Sequence, residues 1–204
     1  MHIDLDTLSP AQAYFHMTQT LVPRPIAWVL SDNGDGSHNL APFSYFNAVC
    51  SDPPLLMLSI GNRPDGTPKD TRLNIEQRRH FVVHIAHTQQ LPALNESAAS
   101  LPRGESEVSR QGLELCAFDD FPLPRLADCR IAYACECEEV REIGNQRQGL
   151  IFGRIRTIYV DDSIIHQTEQ GRLKIDNAQL DPLARLGASE YLVRGKVVSL
   201  TRPD

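Results

Sequence analysis

The sequence predicts a mainly β fold, in which an antiparallel sheet closes into a barrel and helices are short inserts. The main observation is a series of apolar strand candidates joined by turn residues rather than by long helical patterns. The clearest is residues 25–31, where Ile26, Trp28 and Leu30 share one face and the next five residues (DNGDG) favour a hairpin turn. A sheet of this kind must bury one face and hide its edges, and closure into a barrel does both.

The next two strands follow from the same pattern. Residues 39–50 are predicted to return antiparallel to the first strand. Pro53 and Pro54 then break the run, because neither can donate to a strand ladder. Residues 55–60 are apolar on nearly both faces, which predicts a central strand.

The rest of the chain alternates strand and helix candidates. Residues 130–140 alternate between apolar and mixed positions, which predicts a half-exposed strand paired with 150–160 across a turn at 142–148. Residues 101–124 are predicted to be irregular, with one helical turn. The other strand candidates are residues 80–86 and 191–200. The helix candidates are a segment from Asp70 or Thr71 to about 79, residues 88–100 with Pro92 in the first turn, and a short helix near Leu183.

Composition predicts a single globular domain over residues 1–204. Its hydrophobic share of 41% allows a buried core without disulfides or metals. The net charge is -6 and the 20 Lys and Arg residues are dispersed, which argues against a nucleic-acid or membrane partner. No segment has the pattern of a signal peptide or a membrane span, so we expect a cytoplasmic protein.

The five cysteines predict neither a disulfide framework nor a metal site. They show no CxxC spacing and no paired histidine motif, so reduced thiols are expected. Cys135 and Cys137 are two residues apart in a strand candidate, and their side chains should therefore face the same way. We expect both to be small buried core residues.

The start of the helix near residue 70 is the first candidate for ligand chemistry. Lys69, Asp70 and Thr71 would combine an ammonium, a hydroxyl and free backbone N–H groups at a helix N-terminus, which suits a phosphate. The alternative is an ordinary N-cap with a solvated lysine beside it. Common nucleotide, metalloprotease and serine-hydrolase motifs are absent from the sequence.

A second candidate is the polar content of the strand at residues 40–47. Ser44 and Asn47 interrupt an otherwise apolar run, and a buried polar group costs roughly 1 to 3 kcal/mol unless it is hydrogen-bonded. A planar ligand rimmed with donors and acceptors could satisfy them, and so could neighbouring backbone. On a regular strand the two side chains point to opposite faces, so one would need a bulge or a backbone contact to reach the same ligand. Trp28 is expected to be core rather than a stacking group.

Taken together, these segments resemble the flavin reductase-like, FMN-binding split-barrel family. The matching segments, in the family's order, are PRPIAWV (23–29), NLAPFSYFNAV (39–49), DPPLLMLSI (52–60), KDTRLNI (69–75), FVVHIA (81–86), GLIFGRI (149–155) and PLARLGASEY (182–191). The resemblance implies a Greek-key split barrel that forms a homodimer and binds FMN, rather than FAD, near the subunit interface. His84 stands where relatives often have Asn, so we expect no ligand role for it.

The resemblance also implies a set of site residues. The phosphate would lie at Lys69 and Thr71, the isoalloxazine against residues 41–47, and Arg185 and Tyr191 near the ring, where the partner subunit could supply them. The residues assigned to FMN are Ala41, Pro42, Ser44, Asn47, Ser59, Lys69, Asp70 and Thr71.

The resemblance further implies the chemistry. NADH or NADPH would pass hydride to flavin N5, with no obligatory catalytic side chain, and the reduced flavin could serve a separate monooxygenase. Two alternatives stay open: an electron carrier resembling flavoredoxin, without NAD(P)H turnover, and a barrel that has lost flavin and acts as an interaction module.

Overall fold

The computed structural model describes residues 1–167 and 171–200, and strands dominate these ranges. The strands are β1 Arg24–Pro25, β2 Ala27–Asp32, β3 His38–Phe43, β4 Phe46–Ser51, β5 Pro54–Ile60, β6 His80–Ile85, β7 Leu115–Cys116, β8 Arg125–Leu126, β9 Ile131–Ile143, β10 Gln148–Val160, β11 Ile165–Gln167, β12 Leu173–Ile175, β13 Ala184–Arg185 and β14 Tyr191–Leu192. The helices are α1 Pro10–Thr20, α2 Asp70–Arg78, α3 Leu91–Glu96, α4 Glu107–Gln111 and α5 Asn177–Leu180.

Seven strands form one antiparallel sheet in the order β3-β2-β6-β9-β10-β5-β4. Its two edge strands, β3 and β4, are consecutive in the chain and separated only by Ser44 and Tyr45. Because so short a link joins opposite edges, the sheet must curl until those edges meet. The Ser59 N–H also donates to the Tyr45 carbonyl at 2.8 Å, which ties the link to β5. The predicted mainly β, antiparallel fold is confirmed.

Both faces of β2 are buried in separate apolar clusters. Ile26, Trp28 and Leu30 pack in one cluster, whereas Ala27 and Val29 pack in the other, as the sequence alternation predicts. Trp28 is 1% exposed and its indole N–H donates to Ser97 Oγ at 2.8 Å, so its predicted place in the core is confirmed.

The prediction of a half-exposed strand is wrong for the first half of β9. Ala132 and Ala134 are fully buried on one face, and Cys135 and Cys137 are buried on the other. The reason is topological: β9 lies between β6 and β10, and apolar clusters cover both its faces there. Only beyond residue 137 does the strand become largely exposed.

The predicted strand at 39–50 is two strands in the structure. The chain bends at Ser44 and Tyr45, after which β4 pairs with β5 instead of β2. At the C-terminal end, the predicted strand over 191–200 is also wrong, because β14 stops at Leu192. The helix predicted near Leu183 is α5, which ends at Leu180.

Helix α1 was missed because it has little amphipathic pattern. Among its residues only Thr18 is buried, while Tyr14 and Phe15 are 61% and 53% exposed. Its start does carry a recognisable signal, a capping box in which the Ser9 and Gln12 side chains each bond the other's backbone N–H. No helix in the described ranges is long and apolar enough to cross a membrane.

Candidate functional site

An open cleft of about 1210 Å³ is the candidate site. Its walls come from α1, the bend after β3, the loop at 61–69, the tip of the β9–β10 hairpin and the β13–β14 hairpin. Typical small-molecule sites measure roughly 300 to 1,000 Å³, so this cleft has room for more than one ligand. Of the residues predicted to contact a ligand, it brings together Pro42, Ser44, Ser59, Lys69, Arg185 and Tyr191.

Lys69 stands at the N-terminus of α2 and is exposed to the cleft. It is the N-cap residue, and no side chain caps the first turn, so the helix presents free backbone N–H groups there. The ammonium lies 5.8 Å from the centre of the Phe43 ring and forms no ion pair with the described residues. Partial desolvation by the cleft walls, together with repulsion from Arg63, lowers the pKa of Lys69. An anion bound here would relieve that repulsion.

Asp70 does not line the cleft but anchors two arginines beside it. Its carboxylate lies 2.7 Å from Arg63 Nη2 and 3.3 Å from Arg103 Nη1. Arg63 itself lines the cleft and also donates to the Leu101 carbonyl. Sequence reasoning missed Arg63, because it lies in a polar loop whose folding toward α2 has no local pattern.

Thr71, whose hydroxyl was predicted to face a phosphate, is buried and is not among the residues that line the cleft. Its side chain is 1% exposed, and its hydroxyl accepts a hydrogen bond from Asn39 Nδ2 at 2.8 Å. This bond joins α2 to β3. The Thr71 hydroxyl is therefore part of the packing beneath the helix N-terminus.

The polar residues of the 41–47 segment separate into two groups. Ser44 lines the cleft and its Oγ accepts from Arg24 Nε at 3.3 Å. Asn47 lies outside the cleft. Its side chain accepts a hydrogen bond from the Ala48 N–H at 2.9 Å, so its partner is neighbouring backbone, the second of the two alternatives given above. Ala41 packs against the cluster of β2 and β5 residues and also lies outside the cleft.

Ser59 and the β9–β10 hairpin form the opposite side. Ser59 Oγ accepts from Gln148 Nε2 at 3.0 Å, and Asn62 Nδ2 donates to the Gln146 carbonyl at 2.9 Å. Next to the hairpin turn, Arg72 Nη2 lies 2.6 Å from Glu142 Oε1, and this ion pair joins α2 to the same wall. The hairpin contribution was missed because a turn sequence does not reveal which distant loop it contacts.

Arg185 and Tyr191 are adjacent across the β13–β14 pairing. The guanidinium lies 4.5 Å from the centre of the Tyr191 ring, which fits a cation–π contact. The Tyr191 hydroxyl donates to Asn95 Oδ1 at 3.0 Å, which fixes the ring. Arg185 Nη1 has no hydrogen-bond partner among the residues that the structure describes.

The cleft also concentrates unsatisfied polar atoms. In residues 1–167 and 171–200, five buried side-chain polar atoms lack a partner, and three belong to cleft-lining residues: Asn62 Oδ1, Arg63 Nε and Arg185 Nη1. Buried polar atoms are normally hydrogen-bonded, so a polar ligand in the cleft could satisfy these three. The donors Lys69, Arg63 and Arg185 fit a phosphate attached to a planar, acceptor-rich ring, whereas Asn62 Oδ1 is an acceptor.

His84 belongs to the core and not to the cleft. It is fully buried; its Nδ1 lies 3.0 Å from the Trp28 carbonyl, and its Nε2 accepts from the Leu126 N–H at 2.9 Å. The two contacts fix the neutral tautomer with the proton on Nδ1. Burial lowers the pKa of His84 to about 4.

The chain matches known proteins over most of its length. The family model described as "Flavin reductase like domain" matches residues 18–173. Nitrilotriacetate monooxygenase component B from Bacillus cereus is 31% identical, with a TM-score of 0.88 and 98% of each chain covered. The 2-nitrobenzoate 2-nitroreductase from Pseudomonas fluorescens is 29% identical, with a TM-score of 0.88, and the match covers 100% of this chain and 96% of that one. A Shewanella frigidimarina protein described as having a split barrel domain is 21% identical, covers 100% of both chains and shares the fold at a TM-score of 0.84. These matches confirm the family resemblance and the split-barrel fold.

Proposed function

The chain belongs to the flavin reductase-like domain family, and from this premise we propose that it is an FMN-binding oxidoreductase that takes hydride from NADH or NADPH. The observation that carries the proposal is the unpaired Lys69 ammonium at the uncapped N-terminus of α2, inside the cleft. A phosphate monoester is the natural counter-ion for such a position. A phosphate site at Lys69 favours FMN, which carries a phosphate monoester, over riboflavin, which carries none.

Lys69 and Arg63 would hold the phosphate, with the free N–H groups of the first turn of α2. Asp70 would act indirectly, because its carboxylate fixes the side chain of Arg63. The packing of Thr71 on Asn39 would fix the helix itself. Rigid support of this kind keeps the anion-binding groups in place before the ligand arrives.

The ring would lie along the bend after β3. Pro42, Ser44 and Ser59 line this part of the cleft and offer a flat apolar surface with two hydroxyls. Ala41 and Asn47 lie beyond the cleft lining, so any part they have would be support from the neighbouring strands.

The volume left beside the ring would receive the nicotinamide. Arg185 and Tyr191 on one side and Tyr14 on the other offer aromatic surface and one cation, which suits a planar ring carrying phosphates. Bound FMN would supply the two-electron chemistry. The chain's own residues would align the two rings and exclude water, and no side chain has to move a proton.

We propose two candidate acceptors for the electrons of the reduced flavin. One similar protein is a monooxygenase component and another a nitroreductase, so an oxygenase partner and a nitroaromatic acceptor are both proposed candidates. A homodimer, a single domain and a cytoplasmic location stay predictions from the sequence.

Steady-state oxidation of NADH and NADPH by the purified protein tests the proposal. The assay adds FMN, riboflavin or no flavin, with oxygen or 2-nitrobenzoate as the acceptor, and free flavin without protein is the control. Turnover well above that background, with a preference for FMN, supports the reductase. Binding of FMN without turnover on either nucleotide would instead favour the electron carrier, and no flavin binding would contradict both.

A further inference from the structure

Arg24 is a buried cation whose acceptors are all neutral. Only 5% exposed, it donates from Nη1 to the Thr18 and Leu21 carbonyls at 2.7 and 2.8 Å and from Nη2 to the Leu186 carbonyl at 2.9 Å. Its Nε donates to Ser44 Oγ at 3.3 Å. No carboxylate pairs with it among the residues the structure describes. Four directed bonds without a counter-ion suggest that the guanidinium joins separate pieces of chain.

Two of those bonds go to backbone carbonyls at the C-terminus of helix α1. Thr18 and Leu21 lie in the last turn and at the C-cap of the helix, where backbone carbonyls lack intrahelical partners and carry partial negative charge. A cation there satisfies the carbonyls and interacts favourably with the helix dipole. Arg24 is therefore the C-terminal cap of α1, supplied by a side chain three residues beyond the C-cap residue.

Helix α1 has few other attachments. Thr18 is its one buried residue, and Tyr14 contacts the Tyr45 ring at a centroid distance of 6.2 Å. Near its C-terminus, Gln19 packs closely on Gly187 of the β13–β14 hairpin, since a Cβ on that glycine would lie 2.1 Å from Gln19 Oε1. A helix with so little buried surface depends on its directed polar contacts for its position.

The same helix forms one wall of the cleft. Four of its residues line the cleft: Pro10, Ala13, Tyr14 and Met17. The other Arg24 bonds reach two further walls, because Ser44 lines the cleft and Leu186 follows Arg185. The arginine thus links three walls of the cleft: α1, the bend after β3 and the β13–β14 hairpin.

We propose that Arg24 is a positioning residue for the second substrate. It holds α1, the Ser44 bend and the β13–β14 hairpin together, and so shapes the part of the cleft that receives the nicotinamide donor. The proposal rests on the proposed reductase function for its kinetic consequence. Its structural content, that Arg24 holds α1 in place, can be measured without any turnover.

The test compares Arg24→Met, which keeps the length but removes charge and donors, with Arg24→Lys. Hydrogen exchange of the α1 amides is followed by mass spectrometry, and FMN affinity and donor KM are measured in parallel. In Arg24→Met, α1 exchange and donor KM should each rise at least about tenfold, since hydrogen bonds from a charged group contribute enough for such a change. The Kd of FMN should rise less than donor KM, because only one of the four Arg24 bonds, the one to Ser44, reaches the proposed ring site. Arg24→Lys should restore slow α1 exchange, because one ammonium can donate to both helix carbonyls.

Two controls separate positioning from general stability. Ile164→Ala removes a fully buried side chain from a cluster that α1 does not contact, and it should leave α1 exchange and donor KM at wild-type values. Tyr14→Ala removes a side chain that lines the cleft but leaves the Arg24 bonds to the Thr18 and Leu21 carbonyls in place, and it should raise donor KM even if Arg24→Met fails to fold.

Unchanged α1 exchange in Arg24→Met, or unchanged donor KM in Tyr14→Ala, would overturn the proposal. If the wild-type protein oxidises neither nucleotide, the proposed function fails on its own. The exchange measurement then still decides whether Arg24 holds α1.

Discussion

Replacement of Lys69 by methionine should separate phosphate binding from folding. The side chain keeps its length and apolar stem but loses the ammonium that faces the cleft. In the free protein that ammonium has no ion-pair partner in the described ranges, and Arg63 repels it. Loss of the charge should therefore leave the free energy of unfolding without flavin unchanged or slightly higher, while FMN affinity falls.

The size of the loss follows from the position of Lys69. A phosphate monoester carries about -1.5 to -2 charges near neutral pH, and unit charges about 4 Å apart attract by about 1 kcal/mol in water and about 4 kcal/mol near a protein surface. Lys69 is exposed to an open cleft, so a value between these limits applies. We expect about 1.5 to 3 kcal/mol, the range for hydrogen bonds to charged groups, which raises the Kd of FMN about 10- to 100-fold.

Quenching of flavin fluorescence measures the Kd of FMN and of riboflavin, which lacks the phosphate. The substitution should weaken the binding of FMN strongly and that of riboflavin hardly at all. Rising salt should reduce the difference in FMN affinity between wild type and variant. Lys69→Arg should retain most of the affinity. Lys174→Met on exposed β12 is the matched control for net charge and should have no effect. If Lys69→Met weakens the binding of FMN and of riboflavin equally, the phosphate does not bind at Lys69.

Two further predictions concern stability. Thr71→Val should lower the free energy of unfolding in urea by about 1 to 3 kcal/mol, because Asn39 Nδ2 loses its buried acceptor, while Thr71→Ser should not; equal stability of the valine variant would contradict the buried bond. For His84, the folded-state pKa of about 4 lies below the ordinary histidine pKa of 6.5, so the unfolded chain binds the extra proton first and stability falls as pH drops from 6.5 toward 4. Between pH 7 and 5 this histidine should remove about 2 kcal/mol of stability, a loss that disappears in His84→Gln; an identical pH dependence in the variant would refute the assignment.

The sequence predicted those parts of the fold that local pattern determines. The alternation of Ile26, Trp28 and Leu30 appears unchanged in the packing of β2, because strand periodicity fixes which side chains share a face. Prediction from the sequence failed where the burial of a residue depends on which strands are its neighbours in space. Ala132 and Ala134 are weakly apolar by themselves, and only the place of β9 between two other strands buries them.

The site shows the same division. Lys69 could be found from the sequence because a helix start is a local feature. The side chain of Thr71, two residues later, points into the protein, and that direction depends on how α2 packs on β3. Arg63 and the tip of the β9–β10 hairpin reach the cleft through contacts between distant loops, for which the sequence carries no periodic signal.

The cleft illustrates how binding and stability oppose each other in this fold. Within the part of the chain that the structure describes, Asn62, Arg63 and Arg185 each keep a buried polar atom unsatisfied at its walls, and Lys69 has no counter-ion. Repulsion between Lys69 and Arg63 lowers the stability of the free protein, and a buried polar atom left without a partner costs free energy that a hydrogen-bonded one does not. A phosphorylated ring would satisfy several of them at once and would bind only the folded chain. Its stabilising effect should then grow with the logarithm of its free concentration above Kd, by about 2.7 kcal/mol at a hundredfold excess.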